Sequence, residues 1–201
     1  MMCIQPINIV YVDDRVDPVL SRYLDEYCSS EHSPALLYTE ECFDKDDTYE
    51  ILLSKEVIRT SNVLLIDSRL FEEADAGNGK FSGEEFRVIL NKLFPYIEVI
   101  VISQNTLDIS WSVVEKCKNM REHHQAKQYY DDKLKPLLVN KCNIVMETRR
   151  IVERLEGDKA IDSALLEKIQ HAVNGTAEYD ELKASDIDRI IQAFQSLVTK
   201  G

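Results

Sequence analysis

The chain has 201 residues, of which 44% are hydrophobic, and a formal net charge of −12. That length suits one domain of ordinary size with an appendage, and it is enough to bury a real core. The acidic balance excludes a nucleic-acid-binding surface, which needs clustered Lys and Arg, and no apolar run approaches the length of a membrane span. Residues 1–6 are too short for a signal peptide. The five cysteines (Cys3, Cys28, Cys42, Cys117, Cys142) are scattered, odd in number and lack CxxC spacing. This pattern fits reduced thiols, some of them small core residues, and a cytoplasmic location.

Taken in chain order, strand and helix patterns alternate. The run Ile7, Asn8, Ile9, Val10, Tyr11, Val12 reads as a strand buried on both faces and ends in Asp13 and Asp14. Asp17 and Pro18 form a helix start, because Asp caps and Pro is tolerated in the first turn. Val16, Val19, Leu20, Tyr23, Leu24 and Tyr27 then recur at helical spacing. Residues 34–39 supply a short second strand, residues 49–58 a second helix, and residues 62–67 a third strand ending in Asp67. Phe86, Ile89, Leu90 and Leu93 make another helical stripe, stopped near Pro95; residues 98–103 form a fourth strand ending in Ser103. Residues 111–130 are polar and helix-like, with no clear β-branched run. A long helix covers residues 137–155. The alternation predicts an α/β fold: a doubly wound, mainly parallel sheet of about five strands flanked by helices.

The chemistry sits at strand ends. In an open parallel sheet, groups at the carboxyl ends of neighbouring strands converge on one crevice. Asp13, Asp14 and Asp67 meeting there repel one another unless a divalent cation lies among them, and oxygen-only ligands suit Mg²⁺. The plainer alternative is that these aspartates cap helices or turns. The order and strand placement of Asp13–Asp14, Asp67 and Ser103 resemble the receiver domain of two-component response regulators over residues 7 to about 155. The resemblance implies Mg²⁺ held by Asp13, Asp14 and Asp67, and phosphorylation of Asp67 by a histidine kinase. It further implies that the Ser103 hydroxyl bonds the phosphate, and that a lysine after the fifth strand pairs with it. Lys135, in a Lys-Pro dipeptide, is the tentative choice for that lysine, with Lys127 and Lys133 as rivals. Without such a lysine, a phosphorylation-independent adaptor is the alternative.

Residues 77–86 imitate the second half of an EF-hand loop, but the first and third ligand positions fall on Ala74 and Ala76, which offer no oxygen. A surface insertion is the better reading. His123 and His124 are adjacent, so on a helix they point about 100° apart and do not chelate one ion together.

Two domains are expected: a receiver-like unit over residues 1–156 and a helical hairpin over residues 157–201. In the hairpin, Ile161, Leu165, Ile169 and Val173 form one stripe, and Ile187, Ile190, Ile191, Phe194, Leu197 and Val198 form another. About 40 residues bury too little to be stable alone, so the stripes pack on the receiver-like unit, on a protein partner or on a second copy of the chain. The expected function is non-enzymatic signalling. A Mg²⁺-dependent phosphohydrolase is disfavoured because such enzymes place Asp-x-Asp on the nucleophile strand, whereas Asp67 precedes Ser68 and Arg69.

Overall fold

The computed structural model describes residues 5–44, 47–70, 83–104, 113–117, 123–156 and 163–173. Five parallel strands, β1 (Ile7–Asp13), β2 (Leu36–Cys42), β3 (Val63–Asp67), β4 (Glu98–Ser103) and β5 (Val113–Glu115), form one sheet in the order β2-β1-β3-β4-β5. This is the flavodoxin-like doubly wound arrangement. The helices are α1 (Pro18–Ser29), α2 (Tyr49–Ser54), α3 (Glu56–Arg59), α4 (Gly83–Leu93), α5 (His123–Lys133), α6 (Lys135–Glu156) and α7 (Ser163–Val173).

Because strand side chains alternate between faces, the sheet separates two cores. On one face, Ile7, Ile9, Tyr11, Val63, Leu65, Ile100, Ile102 and Val114 pack under α1, α5 and α6. On the other, Val10, Val12, Leu64, Ile66, Val99 and Val101 pack under α2, α3 and α4. Each such Val, Leu or Ile contributes about 1.5–3 kcal/mol by leaving water. Asp17 caps α1, its carboxylate accepting from the Val19 and Leu20 N–H groups at 2.8 and 3.2 Å. At the amino ends of the strands, the Arg149 guanidinium of α6 donates to the Gln5 and Pro6 carbonyls and to Asn62 Oδ1. Lys141 meets Glu98 at 2.6 Å. These contacts fix the long helix to β1, β3 and β4.

Three expectations are corrected in detail. The second helix is interrupted at Lys55, which is extended (φ −64, ψ 130). Its Nζ lies 2.7 Å from both Glu41 and Asp47, so a contact to β2 outweighs helical continuity. Strand β2 runs on to Cys42, because pairing to β1 continues through Glu40 and Glu41 despite their polarity. The polar stretch after residue 111 contains a strand, β5, before its helix. In the C-terminal region, α7 lies against α6. The stripe of residues 187–198 lies outside the described residues, as do residues 71–80 of the insertion that follows Asp67. No helix among the described residues is long and apolar enough to cross a membrane.

The buried tyrosines carry a pH prediction. Burial, then neighbouring carboxylates, pushes the pKa of Tyr11 and Tyr23 well above the ordinary 10.0, and burial does the same for Tyr130. A group that binds its proton more tightly when folded contributes stability that is present below its unfolded pKa and lost as pH rises through the folded value. Alkaline titration should therefore show delayed tyrosinate absorbance that appears together with loss of far-UV circular dichroism above pH 10. Ionisation of all tyrosines near pH 10 with the dichroism unchanged would contradict this packing.

Candidate functional site

In this strand order, the winding direction reverses between β1 and β3, and ligands of such sheets bind outside the carboxyl ends at that point. Asp13 ends β1 and Asp67 ends β3. Alternation explains their meeting: Asp13 continues the face of Tyr11, Asp67 that of Leu65, and Lys116, directly after β5, that of Val114. All three project on the α1, α5 and α6 side of the sheet end. They line a cleft of about 450 Å³ with Asp14, Arg15, Val16, Asp17, Pro18, Arg69 and Gln104.

The ligand atoms of Asp13, Asp14 and Asp67 lie within 4.8 Å of one another. Asp13 and Asp67 are buried, while Asp14 is half-buried. Lys116, only 7% exposed, reaches between two of them, its Nζ 2.8 Å from Asp13 Oδ2 and 2.7 Å from Asp67 Oδ1. Burial alone would lower the Lys116 pKa; hydrogen bonds and charge from the two carboxylates outweigh it and raise the pKa above the ordinary 10.5. The ammonium is thus a resident counter-ion.

The remaining polar contacts hold these groups in place. The Arg15 N–H donates to Asp13 Oδ1 at 3.0 Å, and the Arg69 N–H to Asp67 Oδ2 at 2.8 Å. The Tyr11 hydroxyl donates to Asp13 Oδ2. Buried Asp67 Oδ1 meets one close donor, Lys116, and a carboxylate oxygen with a single donor keeps a lone pair for another electrophilic partner. Ser103 is buried at the end of β4 and accepts from the Ser68 hydroxyl at 3.2 Å. Its carbonyl takes the Lys116 N–H at 2.6 Å.

Of the residues singled out by sequence, Asp13, Asp14 and Asp67 come together, and Ser103 lies at the same end of the sheet one residue before the cleft-lining Gln104. The lysine is corrected. Lys135 is half-exposed at the start of α6, 3.9 Å from Asp131. Lys127 pairs with Glu26 at 3.7 Å, and Lys133 is exposed in the last turn of α5. Among the described residues, the lysine in the cleft is Lys116, which directly follows a strand too short to form a long apolar run. Its signal in the sequence is the short pair Val113–Val114, with Lys116 thirteen residues after Ser103.

Comparison with models of known protein families and with curated proteins gives no match.

Proposed function

We propose that this chain is a receiver-like signalling protein in which Asp67 accepts a phosphoryl group with Mg²⁺ present and a protein partner reads the result. The observation that carries the reading is Lys116 Nζ set between Asp13 and Asp67, with Asp14 completing the acidic cluster. Intact-mass measurement after incubation with acetyl phosphate and Mg²⁺ tests it.

The donor set fits a hard cation: every candidate ligand is a carboxylate oxygen, and Asp67 Oδ1 has an unfilled acceptor position. Asp14 and Asp67, with Asp13, would hold Mg²⁺, which when bound supplies charge neutralisation for the phosphoryl oxygens. In the transfer, an Asp67 carboxylate oxygen bonds to phosphorus while the P–N bond of a kinase phosphohistidine breaks. The electron pair goes to the imidazole nitrogen, which takes a proton from solvent, and an acyl phosphate remains on Asp67. Lys116 keeps its contact with Asp13 and offers its other N–H donors to the phosphoryl group. The Ser103 hydroxyl, whose oxygen accepts from Ser68, donates its proton to a phosphoryl oxygen. Through α6 and the segment beyond it, the change would reach a partner or a second copy of the chain.

One observation favours a second reading. Lys116 already contacts both buried carboxylates and offsets one of their two charges, so a phosphorylation-independent adaptor could keep the pocket as a structural ion cluster. Cation binding separates the two. Calorimetric titration should show Mg²⁺ binding weakened about tenfold or more by Asp14→Ala. Equal affinity in Asp14→Ala and wild type would remove Asp14 from the proposed ligand set.

A further inference from the structure

Tyr11 is fully buried on β1 beneath α1, α5 and α6, yet its hydroxyl reaches the site. It donates to Asp13 Oδ2, two residues on along the same face, and accepts the Asp17 N–H at 3.5 Å. Phenylalanine would fill the same apolar space, so core packing alone does not require the oxygen. With Lys116 Nζ at 2.8 Å, Oδ2 has two donors, and the Arg15 N–H occupies Oδ1. Asp67 Oδ1, by contrast, faces one donor, Lys116.

We propose that Tyr11 is a positioning residue that commits Asp13 to Lys116 and leaves Asp14 and Asp67 as the principal holders of a divalent cation. A carboxylate oxygen that shares its charge with two donors has less to offer a cation. The hydroxyl also fixes the carboxylate's rotation, so that Oδ2 faces the ammonium. The inference rests on the cation-binding part of the proposed function and needs no phosphorylation to be read out.

The test is a calorimetric cycle in which Mg²⁺ is titrated into wild type, Tyr11→Phe, Asp13→Asn and the double variant of the full chain, each checked for folding by circular dichroism. Tyr11→Phe should tighten Mg²⁺ binding about three- to tenfold, a fraction of the strength of a charge-assisted hydrogen bond. The same change made in Asp13→Asn should shift the affinity no further, because Tyr11 acts through the Asp13 charge. Unchanged or weaker binding in Tyr11→Phe overturns the proposal, as does equal tightening in the Asp13→Asn background. If Tyr11→Phe does not fold, site-specific 3-fluorotyrosine at position 11 gives the opposite prediction: a stronger donor should loosen Mg²⁺, and tightening there overturns the proposal. Wild-type protein that binds no Mg²⁺ at millimolar concentration defeats both this inference and the cation in the proposed function. Wild-type binding left unaltered by Tyr11→Phe defeats the inference alone.

Discussion

Lys116→Met should destabilise the fold by about 3–5 kcal/mol at neutral pH, because it leaves two buried carboxylates without their shared cation. Methionine keeps much of the unbranched stem, so the loss reports the missing charge more than a cavity. The partners are close: 2.8 Å to Asp13 and 2.7 Å to Asp67, at side chains only 1% and 3% exposed. Urea denaturation of both proteins measures the difference. Since the Lys116 pKa is raised on folding, its contribution is fully present below the ordinary 10.5 and lost as pH rises through the folded value. The gap between wild type and variant should therefore be flat up to that pH and close above it. Coincident denaturation curves at pH 7 would mean that solvent, rather than Lys116, compensates the two acids.

The second large effect is all-or-none. Wild type incubated with acetyl phosphate and Mg²⁺ should gain the mass of one phosphoryl group, and Asp67→Asn should gain none. Asparagine keeps the shape of the side chain but has no anionic oxygen to attack phosphorus. Asp67 meets one donor at each oxygen, Lys116 at Oδ1 and the Arg69 N–H at Oδ2, whereas Asp13 already takes three. Labelling that persists in Asp67→Asn would move the acceptor elsewhere. Failure of wild type to label while it still binds Mg²⁺ would favour the adaptor reading. Asp67→Asn should not unfold the protein, since removing one of three crowded like charges relieves repulsion.

Much of this architecture was legible in the residues, for a physical reason. Strands β1, β3 and β4 are interior, with both faces covered, so Ile9–Val12, Val63–Ile66 and Val99–Ile102 are unbroken apolar runs that few other structures produce. The aspartates at their ends could be placed because a parallel sheet fixes where carboxyl ends lie. The edges were harder to read. Strand β2 carries exposed Glu40 and half-buried Glu41, and β5 is three residues long, so neither has the hydrophobic signature of an interior strand. Lys116 is obscured along with β5, and the Lys135–Pro136 dipeptide belongs to a helix start instead. The break at Lys55 was equally hidden, because one of its two partners, Glu41, lies on a strand fourteen positions away. Side-chain contacts between distant segments leave no local period to detect. Tyr11 shows the same limit in another form: in sequence it is one more bulky strand residue, and only the alternation that brings its hydroxyl beside Asp13 gives it a second role.

Strand β5 is too short to hold itself in place by backbone pairing alone. Its register against β4 ends with Glu115 opposite Ser103, and one further bond follows, from the Lys116 amide to the Ser103 carbonyl. The same residue then reaches across β4 to Asp67 and Asp13 with its side chain, so main chain and ammonium fasten the sheet's edge from two directions. The margin of the sheet and the charge at its centre are therefore one mechanical unit. Any chemistry that draws the ammonium away from its carboxylates loosens a border strand at the same moment. Amide-exchange protection at that border would then record the electrostatic state of the cleft.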